Sequence, residues 1–268
     1  MTSPISRHSQ WFEYCLPLHN QALQLFCFPY AGGTAQVFKS WQRRFPAEIN
    51  LCLVHLPGRG TRMREAPFRN MQLMVEAIAS AIIGQVRHPF AFYGHSMGAL
   101  LAFELARELR KRQAPEPLQL FLSGRNAPQT ARIEPKSFNL PEEKFIDRLR
   151  ELNGTPQELF DDPELKSLFL PVIRADFEVV DTYEYVPGQP LCCPFSVYGG
   201  IEDTRIPLEN LHGWEKETSA TCTVRRFPGD HFFIHRAGAE FMTAFQDDLL
   251  DALRNQPRKP MASQGGKF

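Results

Sequence analysis

Neither sign of charge is in excess: Lys plus Arg and Asp plus Glu each number 30 in 268 residues, a formal net charge of zero. No long basic run breaks that balance, so nothing in the charge pattern calls for nucleic acid. No apolar run approaches the roughly 20 residues needed to cross a bilayer. The opening segment, "MTSPISRHSQWFEYCLPLHN", has no apolar stretch of signal-peptide length. These absences predict a cytoplasmic protein with no membrane partner. No C-x-x-C pair occurs among the six cysteines, and Cys192 and Cys193 are adjacent. Reduced thiols account for that usage better than a disulfide framework or a zinc site. Internal repeats are absent too.

What the chain does have is a globular balance of 43% hydrophobic and 22% charged residues, enough for a substantial core. Its length suits one large domain. Short apolar runs alternate with helical patterns: "LQLFCF" (23–28), "INLCLVHL" (49–56), "FAFYG" (90–94), "LQLFLSG" (118–124), "CPFSVYGG" (193–200) and "TCTVRRFP" (221–228). Strands spaced by helices predict an α/β architecture, a mostly parallel sheet with helices on both faces. Between about 125 and 190 the alternation stops. "PEEKFIDRLRELN" and "DPELKSLFLPVIRADFEVVDTYEY" are helical in period, so this insertion is expected to lie over the strand ends as a lid. One domain over 1–254 is expected, followed by a polar, Pro/Gly-rich tail at 255–268 with the composition of disorder.

In "FAFYGHSMGALLAFELARELRKR" (90–112), Ser96 stands between Gly94 and Gly98 where a strand pattern gives way to a helical one. A bend that tight pushes a hydroxyl out at the end of a strand. A serine hydroxyl needs a base, and the base works best when a third group orients it. On a parallel sheet the partners should follow later strands. "FSVYGGIEDTR" delivers Glu202 and Asp203 after one strand, and "VRRFPGDHFFIH" delivers His231 after the last, behind the break Pro228-Gly229-Asp230. The order serine, acid, histidine is that of the nucleophile-elbow hydrolases. His95 adjoins Ser96 but should point away from its hydroxyl; His212 and His235 are further rivals. The pair His231 and His235 lacks the glutamate of a helical H-E-x-x-H zinc site. One oxyanion donor is the Met97 N–H at the start of the helix. A second should come from "FPYAGGT" (28–34), where Gly32 and Gly33 allow unusual backbone angles.

With "CFPYAGG", "LPGRG", "FYGHSMGA", "LSGRNAP", "YGGIED" and "FPGDHFF" in order from about 23 to 250, the chain resembles the type II thioesterases. These free-standing α/β-hydrolase enzymes accompany nonribosomal peptide and polyketide synthases, and the medium-chain acyl-carrier-protein hydrolases share the pattern. The resemblance implies a catalytic triad of Ser96, Asp203 and His231, an oxyanion hole from the backbone of Ala31 and Met97, and a helical lid. It implies no metal or organic cofactor. It also implies a partner, the acyl-loaded carrier protein of a synthase; the protein itself is expected to be a monomer. Carrier proteins are commonly acidic, which makes Arg59, Arg62 and Arg64 the docking candidates, with Arg107, Arg110, Lys111 and Arg112 as a weaker set that suits a helix C-terminus. Met1 and the polar tail suggest an independent chain rather than a domain cut from a megasynthase. A fatty acyl-carrier hydrolase or a small-molecule esterase on the same fold are the rival functions. A non-catalytic binding protein is a third, which the intact serine, acid and histidine set argues against.

Overall fold

The computed structural model describes residues 10–17, 21–86, 89–132, 134–236 and 238–255. The chain runs β1 (Phe12–Tyr14), β2 (Leu23–Phe28), a 3-10 segment Ala35–Arg44, β3 (Ile49–Val54), α1 (Met71–Ile83), β4 (Phe90–His95), α2 (Met97–Lys111) and β5 (Leu120–Ser123). The insertion follows as α3 (Glu142–Leu152), α4 (Glu158–Asp161) and α5 (Pro163–Asp181). The chain then returns through β6 (Phe195–Gly200), α6 (Leu208–His212), β7 (Cys222–Phe227), α7 (Phe233–Arg236) and α8 (Gly238–Arg254). The strands form one sheet in the order β1-β3-β2-β4-β5-β6-β7. All neighbours are parallel except β1, which pairs antiparallel with β3 through Phe12 and Val54.

Side chains on a strand alternate between faces, and here both faces are apolar. In β2, Phe26 and Phe28 join the core that holds α1 and α2, while Leu23, Leu25 and Cys27 join the core on the other side. That second core is closed by Phe38 and Trp41 of the 3-10 segment and by Phe241, Phe245 and Leu249 of α8. The expected three-layer sandwich is therefore present. The extra antiparallel strand β1 is a departure from the sequence reading. The tail read at 255–268 lies, from 256 onward, outside the described residues. No helix among the described residues is long and apolar enough to cross a membrane.

Strand order places the site. β2 has β3 on one side and β4 on the other, so the chain reverses its winding direction between β2 and β4. In an open parallel sheet such a switch point leaves a crevice at the carboxyl ends of the strands. The segments that follow β2 and β4 contain Ala31 and Ser96.

Candidate active site

Ser96 carries the most unusual backbone of the site, with φ 55° and ψ −113°. Such angles are costly for a residue with a Cβ and persist only where neighbours over-determine them. Two neighbours do so. The Ser96 N–H donates to the Ser123 carbonyl of β5 at 2.8 Å, and α2 begins at the next residue. A Cβ on Gly94 would stand 2.0 Å from the Gly98 carbonyl oxygen, and one on Gly98 would stand 2.1 Å from the Phe28 carbonyl oxygen. Strand, turn and helix are thus packed too closely for any side chain at either glycine. The hydroxyl-bearing residue between them is half-buried and lines a cavity.

His231 lines the same cavity, and its Nδ1 lies 2.6 Å from Asp203 Oδ2. With Nδ1–H donating to that carboxylate, Nε2 is left as the basic nitrogen. Asp203 is only 3% exposed. Burial pushes its carboxyl upward, but the hydrogen bond and charge of His231, helped by Arg205, outweigh it and hold the group below its ordinary range. The Arg205 N–H also donates to Asp203 Oδ1 at 3.3 Å. Glu202, the competing acid, is exposed, and its side chain accepts from the Gly229 N–H instead. The rival histidines are elsewhere: His212 pairs with Glu215 on the surface, and His235 meets the Tyr30 hydroxyl at 3.1 Å. His95 is fully buried with Nδ1 at 2.9 Å from Ser123 Oγ, so that nitrogen is engaged by β5. Ser96 and His231 share the cavity without a hydrogen bond between them among the described residues, a contact that commonly tightens only with substrate.

The glycine loop after β2 is a turn in which the Gly33 N–H donates to the Tyr30 carbonyl at 2.9 Å, with Gly32 at φ 75°. A positive φ at the third residue of such a turn is the type II arrangement, which favours glycine there. The Gly32 N–H is taken by Asp176 Oδ2 at 2.7 Å. Ala31 lines the cavity beside Ser96. Met97 opens α2, so its N–H belongs to the first turn, which has no helical acceptors.

The family model of the thioesterase domain matches residues 23–249. This chain belongs to the thioesterase family. Gramicidin S biosynthesis protein GrsT of Aneurinibacillus migulanus is 42% identical over 238 residues, covering 89% of this chain and 93% of that one. Thioesterase PikA5 of Streptomyces venezuelae is 32% identical over 241 residues, covering 90% and 85%. Among solved structures, the type II thioesterase BorB from the borrelidin biosynthetic cluster superposes with a TM-score of 0.82 at 32% identity, covering 92% of this chain and 99% of that one. The fold is that of the α/β-hydrolase thioesterases, and the protein is a thioester hydrolase.

The cavity of this thioesterase is about 650 Å³. The insertion gives it an apolar wall through Leu149, Leu152, Ile173 and Phe177, and the strand-end loops add Arg125 and Asn126. Arg132 of the lining pairs with the buried Asp181 at 2.7 Å. The Arg125 guanidinium makes no hydrogen bond or ion pair among the described residues, and burial together with the charge of Arg132 lowers its pKa to about 10.

Two of the three docking arginines need correction. Arg59 is 4% exposed, and its guanidinium is bidentate on Asp176, with Nη1 to Oδ2 at 2.6 Å and Nη2 to Oδ1 at 2.7 Å. Arg62 is 5% exposed, stacks 3.9 Å over the Trp11 ring, and makes two bonds to Glu65 and one to the His55 carbonyl. Neither can meet a partner, because each is consumed by internal partners. Only Arg64 is exposed. In the weaker set, Arg107 and Arg110 donate to carbonyls of Val186, Gln189 and Pro190, tying that segment to α2, and Arg112 pairs with Glu108. Asp176 was missed in the sequence. Its signal was a carboxylate at a core-facing position of a helix, three residues after Ile173 and three before Val179, both buried.

Proposed function

We propose that this thioesterase removes aberrant or stalled acyl groups from the 4′-phosphopantetheine arms of carrier proteins in a nonribosomal peptide or polyketide synthase, acting as a cytoplasmic monomer. Ser96 is the nucleophile, His231 the base and Asp203 the residue that orients His231. His231 Nε2 takes the Ser96 proton as Oγ attacks the thioester carbonyl, and the N–H groups of Ala31 and Met97 receive the oxyanion. The bond to sulfur then breaks, and the thiol, with an ordinary pKa of about 8.5, departs readily with the proton from His231. Water, activated by the same nitrogen, hydrolyses the Ser96 ester. The helical insertion acts as a lid over this cavity. The observation that carries the reading is Ser96 held at φ 55° in the wall of a cavity it shares with His231, whose other nitrogen is engaged by a buried carboxylate.

The test is a panel of acyl groups loaded on carrier proteins, compared with the matched acyl-CoA and simple esters. Acyl groups on carrier proteins should be hydrolysed faster than the matched acyl-CoA and simple esters, and a serine-directed phosphonate should label Ser96 alone. Preference for free esters would make the protein a general esterase, and preference for medium-length alkyl chains would make it a fatty acyl-carrier hydrolase. Substantial activity in Ser96→Ala would overturn the assignment of the nucleophile.

A further inference from the structure

Asp176 has no exposure to solvent and sits on α5, in the insertion, yet it is bonded to two segments of the sheet edge. Its Oδ2 accepts from the Gly32 N–H at 2.7 Å and from Arg59 Nη1 at 2.6 Å, while Oδ1 accepts from Arg59 Nη2 at 2.7 Å. Arg59 Nη1 also lies 3.3 Å from the Gly33 carbonyl. One ion pair therefore holds the turn by an N–H on one residue and a carbonyl on the next. Ile173, one helical turn before Asp176, packs on the same place: its Cγ1 would be 3.0 Å from a Cβ on Gly32.

A fully buried ion pair is weak as a source of stability, because desolvating two charges offsets most of their attraction. The geometry gives this pair a different use. In a trans peptide the N–H points away from the carbonyl of the preceding residue, so the Ala31 N–H lies opposite the Tyr30 carbonyl. The Gly33 N–H holds that carbonyl, and Asp176 holds the central peptide of the same turn through Gly32. Flipping that central peptide would set the Ala31 carbonyl against the Asp176 carboxylate. We propose that Asp176 and Arg59 are positioning residues that fix the Tyr30–Gly33 turn so that the Ala31 N–H meets the oxyanion, which makes turnover depend on the seating of α5. The proposal rests on Ala31 and Ser96 belonging to the site as read above. Neither Asp176 nor Arg59 touches the reacting atoms.

The experiment compares the full-length wild type with Asp176→Asn, Asp176→Ala, Arg59→Lys and Arg59→Met. A serine-directed phosphonate first counts competent sites. Steady-state hydrolysis of an N-acetylcysteamine acyl thioester and inhibition by an alkyl boronic acid, whose tetrahedral adduct places an oxygen in the oxyanion hole, follow on the same samples. Deleting an oxyanion donor costs about 10²- to 10³-fold in kcat, so misaiming one should cost about 10- to 100-fold per titrated site. KM should stay within about threefold, boronate inhibition should weaken in step with kcat/KM, and Arg59→Lys should retain more activity than Arg59→Met. A purely structural pair would lower the count of competent sites and leave kcat per site and the boronate inhibition constant unchanged, which would overturn the proposal. If every Asp176 variant failed to fold, the Arg59→Lys and Arg59→Met pair would decide by the same readouts. A wild type not labelled at Ser96 would overturn the site reading itself; a labelled wild type whose variants keep full kcat overturns only the clasp.

Discussion

His95 adjoins Ser96 in the chain and is buried, with Nδ1 on Ser123 and its ring centroid 5.2 Å from that of His231. Burial, with the charges of His231 and His235 added, holds it well below 6.5, so it stays neutral in the folded protein. Unfolding frees it to take up a proton below about pH 6.5, and a state that binds more protons gains as pH falls. The folded state should therefore lose about 1.4 kcal/mol per pH unit from this residue below pH 6.5, down to the depressed native value. Urea unfolding of wild type and His95→Asn between pH 5 and 7.5 tests this: the difference in stability should be constant above 6.5 and shift in favour of the variant below it. A constant difference throughout would mean that His95 protonates in place. The side chains of the site were unevenly legible. Ser96 and His231 are announced by local punctuation, the flanking glycines and the Pro228-Gly229 break. The choice between Glu202 and Asp203 is not local, since adjacent residues point apart and only the fold shows which one His231 meets. Burial of Arg59 was hidden for the same reason, its partner being 117 residues away.

The strands and helices were legible wherever a period of two or of three to four could run for several residues. β1 escaped because three residues carry no period, and what defines it is pairing with β3. Between β2 and β3 the connection is not an α-helix but a 3-10 segment, Ala35–Arg44. The insertion formed helices as its period required, and it has a core of its own in Phe145, Ile146, Leu149, Phe160, Leu170 and Ile173. The close approach of α2 to the backbone at the end of β2 makes a sharp test of packing. Gly98→Ala should destabilise the protein by on the order of 3 kcal/mol or more, because the methyl group would meet backbone of β2's end rather than a side chain that can swing away. Gly84→Ala is the control: its φ is −77° and nothing lies within 4 Å of the added Cβ, so it should change stability by less than about 1 kcal/mol. Thermal and urea unfolding of the pair check both values, and similar behaviour of the two would refute the close approach at the elbow.

At the scale of the whole molecule, the balanced charge leaves no broad field to draw in an acidic partner, so any steering must be local. Exposed Arg64 is the remaining member of its loop cluster that can contribute. Arg64→Ser should raise KM for an acyl-carrier protein by a few-fold and reduce its salt dependence, since such attraction is screened over about 8 Å at physiological ionic strength. It should leave a small acyl thioester unaffected. Arg62→Ser should instead lower thermal stability and cut both substrates alike, because it strips Trp11, Glu65 and the His55 carbonyl of a shared partner. Parallel kinetics on the two substrates at low and high salt separate the cases; a carrier-specific effect of Arg62→Ser would return it to the surface. The Arg59–Asp176 bridge also sets a rule for recombination. Grafting a relative's insertion onto this sheet to alter acyl preference joins two halves of one ion pair from different parents. A donor segment lacking the carboxylate would strand a buried guanidinium, and a recipient loop lacking the arginine would strand the acid. Viable crossover libraries should accordingly keep residues 59 and 176 from the same parent, whatever else they exchange.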